Sequence, residues 1–300
     1  MNNRIESFTT GVESDSKNPG YDLGLDFIKK FKDNENHQVS FSAVREINKD
    51  NSGYTSLQEY SNKTYRDINN TNLSKNTEHT FNIDYEKPFK NKTNFEAGTK
   101  LILRNLSSEF RMLERANPDV PYTENSQLTN EMVYKQDVGS AYSTYSFQAK
   151  EYKIKLGARV EQTWIHANFS RDSLPLTTDY LNFIPTASIS RKIKKAHTLK
   201  LNYSKRIQRP WMTYLNPYVN NQNPKNITFG NPTLTPEKTH SVTFSWNYFF
   251  KQNSLDLSIN NSFTDDVITN YTVIDKEGIS YTSYTNIAKN NTTGLSLSIW

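Results

Sequence analysis

Arg159 and Glu161 stand two residues apart, and Arg206 and Arg209 three apart. On a strand, a spacing of two puts both side chains on one face. The Arg159 guanidinium and the Glu161 carboxylate can therefore balance each other in a charge ladder, or together grip a neighbouring domain or ligand. Arg206 and Arg209 could hold an anionic ligand or a lipid headgroup; the alternative is that they tie the segment after them to backbone carbonyls. The five histidines, His37, His79, His166, His197 and His240, are scattered, and no two have metal-ligand spacing. There is no cysteine, hence no thiolate and no disulfide. A Ser-His-Asp hydrolase would have His166 and Asp172 to draw on, in a stretch that reads as solvated loop. No glycine-rich phosphate loop follows a strand. We assign no catalytic residue, no metal and no cofactor.

The elements that position these residues are strands. Leu199, Leu201 and Tyr203 alternate with Lys200, Asn202, Ser204 and Arg206, the period of a strand with one apolar face. Arg206 falls on the polar face and Arg209 just beyond it. Pro210 removes a ladder donor and ends the strand. Residues 208–237 form a long loop rich in Asn and Pro, with Gly230, in which Pro210, Pro217, Pro232 and Pro236 imply rigidity. Alternation resumes at Val242, Phe244, Trp246, Tyr248 and Phe250. Earlier strands read the same way: Tyr21 to Phe27, Val39 to Ala43, Phe81 to Tyr85, Phe95 to Leu103, 132–147, Ile154 to Val160, and Phe183 to Ser190. Leu255 to Ile259, then Tyr281 to Tyr284, then Leu295 to Ile299 after an Asn290-Asn291 turn, bring the expected count to twelve. Short turns near 34, 90, 150, 191–196 and 251–253 alternate with long connections at 48–78, 105–131, 167–180, 208–237 and 265–278. Sorting of connections by length is the mark of an up-and-down outer-membrane barrel.

Composition agrees. Only 34% of the 300 residues are hydrophobic and the mean hydropathy is −0.80, yet 13% are aromatic, with 18 Tyr and 16 Phe. A disordered chain is poor in aromatics; a soluble globule is richer in aliphatic residues. A wet interior, a lipid-coated exterior and aromatic girdles reconcile the two figures. The net charge of +5 is spread without a basic cluster, which argues against a nucleic-acid partner. No apolar run reaches the length of a transmembrane helix, and the first residues lack the apolar core of a signal peptide. The expectation is a partial barrel over 1–300, with any plug domain and terminal strands absent.

One window carries a resemblance. Ser204-Lys205-Arg206-Ile207-Gln208-Arg209-Pro210, then Leu215-Asn216-Pro217, then Gly230-Asn231-Pro232-Thr233-Leu234-Thr235-Pro236-Glu237, together resemble the TonB-dependent receptors of the outer membrane. Gly157, Arg159, Glu161 and Phe183-Ile184-Pro185 precede it in the expected order. Lys205 stands where the family pattern suggests Arg, and Thr235 where a larger polar residue is usual. The strong resemblance covers 130–300.

The resemblance implies an antiparallel β-barrel of about 22 strands, of which this chain would supply roughly half as an open, curved sheet. It implies the outer membrane of a Gram-negative bacterium, outer-membrane lipid as a neighbour, a plug domain in the lumen, a TonB-type energy-coupling protein acting through that plug, and an unknown small, scarce ligand. Arg206, Arg209, Pro210, Asn216, Pro217, Gly230, Asn231, Pro232, Pro236 and Glu237 are then expected to anchor the long loop, and Arg159 and Glu161 to face the lumen. A passive or adhesive barrel without a plug, and a barrel hydrolase, are the other readings.

Overall fold

In a computed structural model, the described residues are 8–34, 36–60, 65–117, 119–126, 129–169, 175–194, 196–215, 220–223 and 225–300. The strands are β1 (Phe8–Lys17), β2 (Gly20–Lys30), β3 (Gln38–Tyr60), β4 (Tyr65–Phe89), β5 (Thr93–Arg115), β6 (Thr123–Glu124), β7 (Asn130–Ala149), β8 (Tyr152–Phe169), β9 (Leu176–Ile193), β10 (His197–Gln208), β11 (Asn220–Asn223), β12 (Asn226–Thr228), β13 (Glu237–Phe250), β14 (Asn253–Ile274) and β15 (Ser280–Ile299). A single turn of helix, α1 (Met212–Leu215), follows β10. All fifteen strands belong to one sheet, and long neighbours pair antiparallel in chain order. β1 and β2 both pair with β3, as one strand broken at Asn18-Pro19. Counting them once and setting aside the short β6, β11 and β12, eleven strands cross the sheet among the described residues. No ladder joins β1 or β2 to β15 among the described residues, so the sheet is open.

Period two sorts the side chains onto two surfaces. Phe147, Ile154, Ile189, Leu201, Phe244, Ile259 and Leu295 stand opposite one another across seven successive strands. One residue over, the same strands align Gln148, Lys153, Ser190, Lys200, Ser245, Ser258 and Ser296. The apolar row continues into exposed Val160, Phe183, Phe81, Leu101 and Leu25, a band that only a lipid environment accommodates. The polar surface is the inner wall. There Gly98 makes room for Tyr142: a Cβ on Gly98 would come within 2.6 Å of the Tyr142 ring and of Asp84 Oδ1, the carboxylate that Tyr142 contacts.

Three expectations change. The connections at 48–78, 105–131 and 265–278 are largely strand: β3 runs 23 residues, β4 25, β5 23 and β14 22. Their ladders continue past the lipid band, where no apolar outer face is required and a polar sequence loses nothing by being extended; within them Ile68, Asn70 and Met112 are buried on the inner face. The asymmetry of the two ends therefore lies in hairpin length as well as in loop length. Second, Asn290 and Asn291 make no turn. They pair with Thr264 and Phe263 inside an unbroken β15, so eleven strands cross where twelve were expected. Third, residues 8–17 form β1.

Candidate functional site: the loop folded into the barrel mouth

β10 stops at Gln208 and β13 starts at Glu237, and both are shorter than the other strands that cross the sheet. The loop between them turns inward. Leu215 at the end of α1 and Leu234 are buried to 1% and 4% exposure against Met132 and Tyr134 of β7 and Ile165, Ala167 and Phe169 of β8. Tyr180 of β9, and Ile268 and Tyr284 from β14 and β15, pack around the same cluster. The loop thus touches both flanks of the curved sheet. Each buried leucine contributes on the order of 2 kcal/mol.

Polar contacts fix the loop's path. Asn231 is its hub: Nδ2 donates to the Tyr284 carbonyl (2.9 Å), Oδ1 accepts from the Thr233 amide (2.9 Å) and hydroxyl (2.7 Å), and its own amide donates to the Tyr214 carbonyl (2.6 Å). Tyr214 and Tyr284 stack with centroids 4.3 Å apart. Asn286 Nδ2 donates to the Thr235 carbonyl and to the Asp266 carbonyl, and its Oδ1 accepts from the Thr235 amide. Glu237 Oε1 accepts from the Ile268 amide (2.8 Å), beside the register break at 264–268 where Asp266 takes a φ of 57°. β12 adds to the outer edge of β15 in parallel, Ile227 opposite Tyr281.

Beneath the loop lies a charge cluster. Glu161, 7% exposed, faces two arginines: Arg159 Nε is 2.6 Å from Oε1, and Arg209 Nη2 is 2.5 Å from Oε2. The second contact is an aligned hydrogen bond; the first is close but purely ionic in geometry. Thr163, fully buried, accepts from Arg209 Nε at 3.2 Å and Nη2 at 3.1 Å. A carboxylate between two guanidiniums with a hydroxyl alongside is a structural junction: it offers no free base and no nucleophile poised beside one. Further along the inner wall, Arg104 binds Glu78 (2.6 Å) and Gln136 (3.0 Å), and Gln136 donates to the Tyr134 hydroxyl.

The residues singled out in sequence divide accordingly. Arg159, Glu161 and Arg209 converge. Pro210, Gly230 and Pro236 are buried in the loop, and Pro232 is half-buried between Asn231 and Thr233. Asn231 and Glu237 bond as above. Arg206 is exposed on β10 opposite Thr239 and does not join the cluster. Asn216 and Pro217 lie outside the described residues. His166 Nδ1 lies 3.1 Å from Thr177 Oγ1; Asp172 lies outside the described residues. Sequence reading did not pick out Thr163, Tyr284 or Asn286, which sit in ordinary strands. The one available signal was a set of apolar residues, Trp211, Met212, Leu215, Ile227, Phe229 and Leu234 among them, in a loop otherwise rich in Asn and Pro.

The model of the outer membrane protein beta-barrel family matches residues 29–299, and the chain belongs to that family. Its setting is the outer membrane of a Gram-negative bacterium, where the apolar outer row meets lipid. No curated protein matches the chain. Among solved structures it is similar to FpvAI in its complex with pyocin S2 (10% identity, TM-score 0.56, covering 95% of this chain and 48% of that one). It is also similar to the FrpB iron transporter from Neisseria meningitidis (8%, 0.51, covering 93% and 50%) and to the ferric citrate transporter FecA (11%, 0.50, covering 88% and 38%). The chain spans half or less of each of these structures. At such identities the likeness is one of fold, and that fold agrees with the receptor-type barrel that residues 201–237 resemble.

Proposed function

We propose that this chain forms part of the wall of an outer-membrane uptake receptor, a plugged barrel that imports a small, scarce ligand. The observation that carries the reading is the apolar cluster on the inner wall, where Leu215 and Leu234 pack on Met132, Tyr134 and Ile165. A water-filled passive channel keeps its inner wall polar, whereas a barrel whose mouth is packed by its own loop is built to be closed. In this reading a plug domain fills the remaining lumen, and a TonB-type partner draws on it to open the path. Arg209, Asn231 and Glu237 hold the loop, and Arg159 and Glu161 serve the wall rather than the ligand. Two of the similar structures are a ferric citrate transporter and an iron transporter, which makes ferric chelates the first ligands to try. No bond-making step is assigned.

The test uses the complete protein in planar bilayers. A plugged receptor gives no steady conductance; a large steady conductance would overturn the reading in favour of a passive barrel. Uptake of radiolabelled ferric citrate by energised and de-energised cells then addresses the ligand separately.

A further inference from the structure

Two lysines on the lipid-facing surface sit on aromatic rings at the last pleat before a short turn. Lys29 Nζ lies 5.9 Å from the Phe31 ring centroid, and Lys87 Nζ 5.5 Å from that of Phe89. Each is two residues beyond an outward-facing residue of its strand: Lys29 follows exposed Phe27, and Lys87 follows half-buried Tyr85, itself two beyond exposed Ile83. Phe31 stacks on His37 at 4.2 Å, and His37 meets the Tyr85 hydroxyl, so the two hairpins share one aromatic patch. A third pair, Arg191 over Tyr152 at 5.1 Å, repeats the arrangement, but its charge is taken up by Glu151, 2.7 Å away. Asp33 is the acid beside this shared patch: His37 engages it at 2.6 Å, and the Lys87 charge also acts on its carboxylate.

This end of the sheet carries the short turns, hence the periplasmic side. A cation just beyond an apolar band, its stem on an aromatic ring, is placed at headgroup depth. From this we infer that Lys29 and Lys87 form docking points for anionic phospholipid headgroups of the periplasmic leaflet. The occupant follows from continuity with the lipid-facing band and from charge. Desolvated on one side by Phe31 and Phe89, each ammonium turns its remaining donors toward the bilayer surface, where a phosphate accepts them. Lys92, Lys150, Lys153, Lys192 and Lys194 lie at the same end but line a basin of about 1090 Å³ that opens inward. They raise the local positive potential without facing lipid.

The experiment reconstitutes the complete protein in phosphatidylcholine bilayers. It measures, by electron paramagnetic resonance, the motionally restricted fraction of spin-labelled phosphatidylglycerol against that of spin-labelled phosphatidylcholine. We expect selectivity for phosphatidylglycerol, with each lysine strengthening association at its own site about fivefold. Selectivity should be lost in Lys29→Gln/Lys87→Gln, kept in Lys29→Arg/Lys87→Arg, and kept in the inward pair Lys153→Gln/Lys192→Gln. Equal restriction of both lipids, selectivity unmoved by the outer glutamines, or loss with the inner pair alone would each overturn the assignment.

Discussion

Arg209 Nη2 and Glu161 Oε2 lie 2.5 Å apart, joining the start of the long loop to the inner wall of β8. The same carboxylate holds Arg159. Removing it strands two guanidiniums in a partly buried site. We expect Glu161→Ala to destabilise the complete protein by about 2 kcal/mol, below the figure for fully buried pairs because Arg159 and Arg209 are partly exposed. Urea titration in a bilayer measures this, and Arg209→Ala combined with Glu161→Ala should cost less than the two singles added together.

Asn231 is expected to hold the loop by hydrogen bonds rather than by packing. Asn231→Ala gives up the bonds to the Tyr284 carbonyl and to Thr233, at about 1 kcal/mol each. Hydrogen exchange at residues 229–237 should rise well above that of the neighbouring β13, and an unchanged exchange pattern would contradict the hub.

The lipid-facing row gives a depth-dependent test. Phe244, between Leu201 and Ile259, should cost about 2–4 kcal/mol when replaced by Lys, while Ser258→Lys on the inner wall should cost little. Refolding titrations into lipid vesicles separate the two; equal costs would mean the faces are assigned wrongly.

At the periplasmic hairpin, the hydrogen bond from His37 holds the Asp33 carboxyl below the ordinary aspartate range. Because the folded pKa is depressed, the contact's contribution is present above the ordinary aspartate pKa and is lost as pH falls through the lowered value. Carbon NMR of the Asp33 carboxyl should show it titrating low in the native protein and higher in His37→Ala.

Parity made much of this fold legible. Leu199, Leu201, Val242, Phe244, Leu257 and Ile259 could be assigned to one face because a strand alternates whatever its partners. Strand ends were less legible. Residues 48–60 carry no apolar alternation, and above the lipid no physical demand imposes one, so a ladder there looks like a loop. Asn290-Asn291 carries turn residues yet is held extended by Phe263 and Thr264 on β14. The loop's own motif stood out, but its anchors at Thr163, Tyr284 and Asn286 lie some 50 residues away in chain and have no local signature. The meeting of Arg159, Glu161 and Arg209 needed the fold, since spacing paired only the first two.

The short parallel strand β12 has a consequence for strand addition. Asn226 to Thr228 occupy the outer edge of β15 at Ser280 to Thr282, and Asn231 takes the Tyr284 carbonyl just beyond. Any strand that adds to this edge can ladder only with the remainder of β15, toward Ile299, and must halt where the loop begins. The loop is thus a register stop. It limits how far a neighbouring strand can slide, and a slip by one residue would turn that strand's lipid-facing side chains inward.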